Sequence, residues 1–295
     1  MNRDRRIVVI GATGMLGRDC VEALEEAGVV VPLDRSQLDL TDPARINNLL
    51  PELRPHVILN CAGYTDVDGC EEHTDVAREV NARGPAHLAH AARELAAYLI
   101  HVSTDYVFDG SKPPPQPYLE NDPSGPLSVY GRTKWEGEEA VRGCTPDHLI
   151  VRTAWMYGRH GRSFPKAILR KALQGESLRV VDDQFGSPTW SRTLALQIRA
   201  LMHERITGTV HATSHGHCTW FQFARTFLRM MDLPAAVDPC TTSDYSRPAP
   251  RPANSILANR RLISLGLDRM SPWETDLEKF VREHGPALRE EVLAH

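Results

Sequence analysis

The sequence predicts an α/β fold: a Rossmann-type doubly wound parallel sheet joined to a smaller α+β substrate-binding lobe. Three observations predict it. Short apolar runs alternate with helical patterns in the first half, a glycine-rich turn follows the first run, and the regular alternation ends after Arg152. Apolar strands that alternate with helices are typical of a parallel sheet covered on both faces.

The first half divides into alternating strands and helices. Strands are expected at residues 6–10, 29–33, 57–60, 98–103 and 149–152. Helices are expected at residues 15–27, 43–53, 76–95 and 132–141. Asp42 and Pro43 form the cap and first position of the second helix, since proline fits where no amide hydrogen is needed. Gly84 and Pro85 are expected to interrupt the third helix.

The second half is less regular. Helices are expected at residues 164–173, 193–202 and 220–231, with a short strand at 209–212. We therefore expect a cofactor-binding domain at residues 1–152 and a mainly substrate-binding lobe at 153–295. Within that lobe, residues 187–212 are expected to pack back onto the first domain. The proline-rich segments 112–117 and 247–252 are expected to be loops.

Composition excludes several classes of protein. The 295 residues are 41% hydrophobic and 24% charged, which is ordinary for a globular chain. The 34 basic residues are outnumbered by 38 acidic ones, so no nucleic-acid partner is expected. No run approaches the roughly 18 apolar residues of a membrane span. The six cysteines include no C-x-x-C pair, which favours reduced thiols and a cytoplasmic location.

The strongest local motif is the glycine loop that follows the first strand. Residues 11–17 read Gly-Ala-Thr-Gly-Met-Leu-Gly, a G-x-x-G-x-x-G pattern that opens a helix. Gly11 permits the tight turn, Gly14 lets a pyrophosphate approach the backbone, and Gly17 lets the helix pack closely. The helix N-terminus supplies free amides and a positive dipole end. The loop, including Thr13, Met15 and Leu16, is therefore a predicted dinucleotide site.

Two residues after the second strand give conflicting cues about the cofactor. Asp34 suits the ribose diol of NADH, whereas Arg35 suits the 2′-phosphate of NADPH. Both are also explained as solvated loop residues. The choice between NADPH and NADH stays open at this point.

Tyr130 and Lys134 form a Y-x-x-x-K pair, which on a helix would share one face. A lysine near a phenol favours the phenolate, so the tyrosine can exchange a proton with a carbonyl or alcohol. The fourth strand ends at Ser103 and Thr104, where ligands bind in open α/β sheets. Either hydroxyl could hold the substrate oxygen beside Tyr130; the alternative is that both merely cap the strand.

These motifs together resemble the dTDP-4-dehydrorhamnose reductase family, a branch of the extended short-chain dehydrogenase/reductases. The matching stretches are residues 11–17, 39–42, 54–55, 60–68, 103–110, 126–134, 152–158, 183–189 and 251–255. The most specific are Ser-Thr-Asp-Tyr-Val-Phe at 103–108 and Asp-Gln-Phe-Gly-Ser-Pro-Thr at 183–189.

The resemblance implies roles for individual residues. Thr104, Tyr130 and Lys134 would form the catalytic set, with Tyr130 as proton donor and Lys134 also holding the nicotinamide ribose. Further cofactor contacts would be Asp39, Leu40, Ala62, Gly63, Tyr64 and Ser103. Substrate contacts would be Val67, Asp105, Tyr106 and Trp155. The implied reaction is hydride transfer from NADPH or NADH to C4 of a dTDP-linked 4-keto-6-deoxyhexose.

The 247–252 loop carries two arginines beside prolines. Arginine suits bidentate contact with a phosphate, so Arg251 is a candidate ligand for the diphosphate of the nucleotide sugar. A solvated loop is the alternative.

No structural metal is expected. Some members of the resembled family hold a metal at a dimer interface through acidic residues, but Arg192 stands where one such acid would be. Asp19 alone is a poor Mg²⁺ site. Whether the protein is a homodimer or a monomer stays open. The cluster of His211, His215, His217 and Cys218 matches no zinc-finger spacing and is interpreted as loop packing. Trp220, on a helical pattern, is expected in the core.

Two other functions stay open. One is a reductase or epimerase of another nucleotide-linked deoxysugar. The other is a non-catalytic NADP-binding subunit, as in the regulatory β subunit of methionine adenosyltransferase, which resembles the same family. Retention of Thr104, Tyr130 and Lys134 together argues against a mere scaffold.

Overall fold

A computed structural model describes residues 5–233 and 235–294. The strands are β1 (Arg6–Ile10), β2 (Val29–Leu33), β3 (Val57–Asn60), β4 (Tyr98–Thr104), β5 (His148–Thr153), β6 (Met156–Tyr157), β7 (Leu178–Val181), β8 (Phe185–Gly186), β9 (Thr189–Trp190), β10 (Gly208–His211), β11 (Cys218–Thr219) and β12 (Val237–Cys240). The helices are α1 (Met15–Leu24), α2 (Pro43–Leu53), α3 (Val67–Glu72), α4 (Thr74–Arg78), α5 (Gly84–Glu94), α6 (Val129–Cys144), α7 (Phe164–Leu173), α8 (Ser191–Glu204), α9 (Trp220–Met230), α10 (Arg260–Ser264) and α11 (Trp273–Leu293).

The central sheet has six parallel strands in the order β10-β5-β4-β3-β1-β2. The direction of winding reverses between β1 and β3, so the loops after these two strands diverge to opposite faces. A ligand crevice is expected at the carboxyl end of such a switch point. The predicted doubly wound parallel sheet is confirmed.

Both faces of the sheet are covered, which explains why its strands are apolar without alternation. Ile7 and Val9 face a core shared with α1 and α8, and Val8 and Ile10 face α2 and α5. α6 lies on this second face, where Val141 is fully buried.

The helix that carries Tyr130 begins earlier than expected. The sequence predicts a start at Arg132, whereas α6 starts at Val129 because Ser128 caps it, its hydroxyl accepting the Gly131 amide at 3.1 Å. The predicted helix at 76–95 is α4 and α5 joined by a π turn, Glu79–Arg83. Pro85 does not break this run, because it lies in the first turn of α5.

The second core lies between α7, α9 and α11. The last helix, α11, was not predicted from the sequence; its apolar face contributes Trp273, Leu277 and Phe280 to this core. Between α7 and α9 the chain returns to the central sheet, where α8 packs on α1 and β10 pairs with β5. The domain boundary after residue 152 stays a prediction. No helix in the described part of the chain has the length and apolar character that crossing a bilayer requires.

Candidate active site

A cleft of about 750 Å³ opens at the switch point and extends from the glycine loop to Tyr130. Most of the residues predicted from the sequence line it. They are Gly11, Thr13, Gly14, Met15, Leu16, Arg35, Asp39, Leu40, Ala62, Gly63, Tyr64, Ser103, Thr104, Asp105, Tyr130, Lys134 and Trp155. Gly17, Asp34, Val67, Tyr106 and Arg251 are not among the lining residues.

The glycine loop needs its glycines because other backbone segments lie against it. Gly11 has φ +76°, and a Cβ there would lie 2.8 Å from the Ala62 nitrogen. A Cβ on Gly17 would lie only 2.1 Å from the Gly11 carbonyl oxygen, so Gly17 acts by packing beneath the loop. Gly14 precedes α1 without a side-chain cap, which leaves the first amides of α1 available to an anion. These features fit a dinucleotide pyrophosphate.

The Asp34 carboxylate, which is predicted to contact a ribose, is bonded within its own turn in this structure. One of its carboxylate oxygens, Oδ1, accepts the Ser36 amide at 2.8 Å, the Ser36 hydroxyl at 2.6 Å and the Gln37 amide at 3.1 Å. These bonds lower the pKa of Asp34. The Asp34 side chain therefore stabilises the turn after β2, as aspartate often does in turns. Arg35 lines the cleft and pairs with Asp39 at 2.9 Å.

The loop after β3 is held by two buried polar side chains that the sequence analysis missed. Asn60 accepts the Ala62 amide at 3.0 Å and donates to Nδ1 of His101 at 3.1 Å. Asn81 accepts the Tyr64 amide at 2.8 Å and donates to the Tyr64 carbonyl at 3.0 Å. The Asn60–His101 and Asn81–Tyr64 pairs join residues 41 and 17 positions apart, so no local motif predicts them.

Tyr130, Thr104 and Lys134 come together at the far end of the cleft. Burial raises the pKa of Tyr130, and the neighbouring Thr104 hydroxyl partly opposes that shift. Lys134 donates from Nζ to the Val102 carbonyl at 2.8 Å. Burial lowers the pKa of Lys134 to about 8. The tyrosine thus keeps its proton at neutral pH beside a lysine that is largely cationic.

Thr104 is oriented by its neighbours at the end of β4. Its hydroxyl donates to the Asp105 carboxylate at 3.0 Å, and its oxygen accepts the Tyr106 amide at 3.2 Å. Asp105 is buried, and burial raises its pKa to about 6. The two hydroxyls and this carboxyl form one polar end wall of the cleft.

Four further predicted residues do not line the cleft. Gly17 is beneath the glycine loop, as described above. Tyr106 packs edge-on against Tyr130, with ring centroids 5.6 Å apart. Val67 is the first residue of α3. Arg251 is bound by Asp68, at 2.7 and 2.9 Å. The sequence analysis did not assign Asp68 a role.

The second lobe supplies an aromatic wall. Trp155 has φ +45° and stacks on Trp220, with ring centroids 3.5 Å apart and planes within 4°. A Cβ on Gly186 would lie 2.2 Å from the Trp155 ring, so a glycine is needed there. Trp220 is half-buried and supports Trp155, in addition to the core packing expected for it.

The other candidates behave as packing residues. His211 is buried against Phe108, and burial lowers its pKa to about 3. Within residues 5–233 and 235–294 no group of three or more His, Cys, Asp or Glu side chains could hold a metal ion. Asp19 accepts the Ser191 hydroxyl, and Arg192 pairs with Glu283. The expectation of no structural metal stays a prediction.

The cleft also has lining residues that the sequence analysis did not assign to a site. They are Leu38, Cys61, Thr65, His73, Val76, Val80, Val102, Thr153, Ala154, Met156, Gly161 and Arg162. Arg162 is the one that a local signal could have found, because it is a cation just after Gly161. The apolar ones come from separate elements that only the fold brings together.

Comparison with known proteins gives consistent matches over most of the chain. The model of the RmlD substrate binding domain family matches residues 5–285. A dTDP-4-dehydrorhamnose reductase of Streptomyces griseus is 42% identical over 291 residues, covering 96% of this chain and 94% of that protein. A probable dTDP-4,6-dihydroxy-2-methyloxan-3-one 4-ketoreductase of Streptomyces antibioticus is 40% identical over 293 residues, covering 96% of this chain and 99% of that one.

A solved structure is similar over the same length. The crystal structure of dTDP-4-dehydrorhamnose reductase from Bacillus anthracis in complex with NADP has a TM-score of 0.92 and 36% identity, covering 95% of this chain and 99% of that one.

Proposed function

The chain belongs to the RmlD substrate binding domain family, and from that premise we propose that it reduces dTDP-4-dehydro-L-rhamnose to dTDP-L-rhamnose with NAD(P)H. The observation that carries the proposal is the convergence of Thr104, Tyr130 and Lys134 at one end of the cleft, opposite the glycine loop. The protein is an oxidoreductase on a Rossmann-type sheet.

The glycine loop fits a dinucleotide because Gly11 and Gly17 leave no room for a Cβ and the first amides of α1 are free. Gly11, Thr13, Gly14, Met15 and Leu16 would hold its pyrophosphate. Asp39, Leu40, Ala62, Gly63 and Tyr64 would border the adenosine and nicotinamide halves, with Ser103 and Lys134 at the nicotinamide end. When bound, the reduced nicotinamide supplies the hydride that reduces C4 of the sugar.

The protein's own residues supply the proton. Tyr130 donates its hydroxyl proton to the oxygen on C4, since burial keeps it protonated until the reaction. The Lys134 ammonium stabilises the phenolate that remains. Thr104 lies beside Tyr130 at the end of β4, and its hydroxyl, which donates to Asp105 in this structure, would turn to donate to the sugar oxygen.

The turn after β2 favours NADPH over NADH. Asp34 is engaged by the backbone and side chain of its own turn, whereas Arg35 is exposed at the rim of the cleft. A guanidinium there would pair with a 2′-phosphate. The NADP in the Bacillus anthracis structure is consistent with this preference.

The proposed sugar contacts are Thr104, Asp105 and Trp155, which line the cleft, and Val67, Tyr106 and Arg251, which do not. The similarity to the Streptomyces antibioticus ketoreductase favours one alternative, a reductase of another dTDP-linked deoxysugar.

We further propose a cytoplasmic location, supported by the six cysteines being free thiols. The net charge of −4 supports the absence of a nucleic-acid partner. Homodimer and monomer both stay open.

The test measures oxidation of NADPH, and then of NADH, by the purified protein with dTDP-4-dehydro-L-rhamnose. We expect turnover that requires the sugar and is faster with NADPH. Tyr130→Phe should lower kcat by about a hundredfold or more, because it removes the proton donor, while the Kd for NADPH stays within about twofold.

Tyr98→Phe is the matched control. It removes another buried tyrosine hydroxyl, which donates to the Ile206 carbonyl, at the opposite end of β4. Its kcat should stay near that of the wild type. No sugar-dependent oxidation by the wild type, with NADPH still bound, would refute the proposed substrate.

A further inference from the structure

Asp68, a carboxylate with four hydrogen bonds close to the cleft, has no part in the proposed mechanism. Asp68 lies in the first turn of α3, and its carboxylate accepts hydrogen bonds from both terminal nitrogens of Arg251, at 2.7 and 2.9 Å. The same carboxylate accepts a hydrogen bond from Arg247 at 3.1 Å and one from the Ala249 amide at 3.2 Å. We call these four residues the Asp68 clamp. It joins α3 to a loop about 180 residues away in sequence.

The clamp is more than a surface ion pair. The Arg251 side chain is 15% exposed and that of Asp68 is 23% exposed. The Arg251 pairing is bidentate, which fixes the direction of the guanidinium. These contacts hold the pKa of Asp68 at about 2. Arg251 also donates to the Ala249 carbonyl at 2.6 Å, so the loop is tied to itself and to α3 at once.

The clamp lies on the side of Tyr130 where Tyr106 packs. Asp68 follows three residues after Thr65, which lines the cleft. The charges of Arg251, Asp68 and Arg247 all act on the pKa of Tyr106, whose ring packs against Tyr130. A substrate whose keto carbon meets Tyr130 from this side must extend its remaining part toward these charges.

The charge of the clamp suits a diphosphate. Two arginines against one aspartate leave a net charge of +1. Arg247 is 47% exposed and uses one terminal nitrogen on Asp68. The Arg247 guanidinium also lies over the face of the Tyr245 ring, 5.0 Å from its centroid. The rest of its guanidinium is therefore open to an anion.

We infer that Asp68 is a positioning residue for the substrate: it holds Arg247 and Arg251 where they receive the diphosphate of the nucleotide sugar. This inference rests on the proposed function for the identity of the nucleotide. In it Asp68 does not touch the substrate; it acts through the two arginines. The opposite role, in which Asp68 competes with the diphosphate for the arginines, predicts a change of opposite sign.

The first experiment measures dTDP binding by calorimetry in the presence of saturating NADPH. Asp68→Asn removes the charge and should weaken dTDP about tenfold, as expected when a partly exposed charged partner of an arginine is lost. The Kd for NADPH should be unchanged. Hydrogen exchange of the Ala249 amide should become faster, because that amide loses its anionic acceptor.

Turnover provides the second measurement. In Asp68→Asn the KM for the keto sugar should rise about tenfold while kcat stays within about twofold, because Tyr130 and Thr104 are untouched. Arg251→Gln breaks the same contact from the other side and should give the same pattern. Asp66→Asn is the matched control. It removes an equal charge two residues away, and its amide oxygen can still cap α3 at the Gly69 amide.

Equal or tighter dTDP binding in Asp68→Asn would overturn the inference, and so would faster Ala249 exchange with unchanged binding and KM. A wild type that binds no dTDP would overturn it as well. A wild type that binds dTDP but does not reduce the keto sugar would refute the proposed reaction alone.

Discussion

At the scale of single residues, Tyr130 and Lys134 both keep their protons at neutral pH, although burial shifts their pKa values in opposite directions. Burial raises the pKa of Tyr130 and lowers that of Lys134 to about 8. The charge of Glu138, one helical turn from Lys134 on α6, partly opposes the second shift. At neutral pH the site therefore holds a phenol beside an ammonium, which is the state that reduction of a ketone needs.

This arrangement predicts a pH dependence. As pH rises through about 8, Lys134 loses its proton and no longer stabilises the Tyr130 phenolate, so kcat/KM for reduction should fall. The measurement is kcat/KM for the keto sugar between pH 6 and pH 10 at saturating NADPH. Lys134→Met should be slow throughout and should lose this decline. A wild-type profile that stays flat to pH 10 would contradict the assignment.

At the scale of elements, the approach of α1 to β1 depends on a single absent methyl group. Gly17 faces the Gly11 carbonyl oxygen, and a Cβ would lie 2.1 Å from that backbone atom. With any side chain at position 17, α1 or the loop would have to shift, because a backbone oxygen cannot rotate away as a side chain can. The same loop carries the amides that would bind the pyrophosphate.

Gly17→Ala should therefore weaken NADPH at least tenfold and lower the free energy of unfolding by about 1–3 kcal/mol. Fluorescence titration with NADPH and urea denaturation measure the two effects. Gly143→Ala is the control, because nothing lies within 4 Å of a Cβ at that position in α6. It should leave NADPH binding unchanged and add up to about 1 kcal/mol of stability. Equal behaviour of the two variants would contradict the packing argument.

At the scale of the whole molecule, a buried ion pair joins helix and sheet behind the site. Arg152 on β5 is 3% exposed and Glu138 on α6 is fully buried. The pairing is bidentate, with Nε to Oε1 at 2.9 Å and Nη2 to Oε2 at 2.7 Å. Arg142 adds a second cation to Glu138 at 2.5 Å. Such pairs are costly to break from one side, since the remaining charge stays buried.

Arg152→Met should lower the free energy of unfolding by about 3 kcal/mol, because Glu138 keeps its charge and loses its main partner. Glu138→Leu with Arg152→Met should recover part of that loss, since no charge is then left alone. Urea denaturation of the wild type, both single variants and the double variant measures the coupling. Simple additivity of the two single losses would show that the pair does not act as a unit.

Prediction from the sequence succeeded where the information is local. The glycine loop, the end of β4 and the Tyr130–Lys134 spacing each lie within a few residues of one strand or helix end. The rules that govern them are turn geometry, helix periodicity and the position of strand ends. In the same way, Asp42 caps α2 and accepts the Arg45 amide at 2.9 Å, as expected.

Prediction failed where a choice depends on distant partners. α11 was missed, because its helix continues through Gly285 and Pro286 and is stabilised by a core built from α7 and α9.

The sequence by itself determined the type of sheet, the place of the glycine loop and the spacing of Tyr130 and Lys134, because each is encoded in a short continuous segment. Only the tertiary structure decided that Trp220 supports Trp155, that Asn60 and His101 hold the loop after β3, and that Asp68 binds Arg251. These contacts join residues from 41 to 183 positions apart. No local pattern specifies such pairs, since only burial of the two cores and the winding of the sheet bring them within reach.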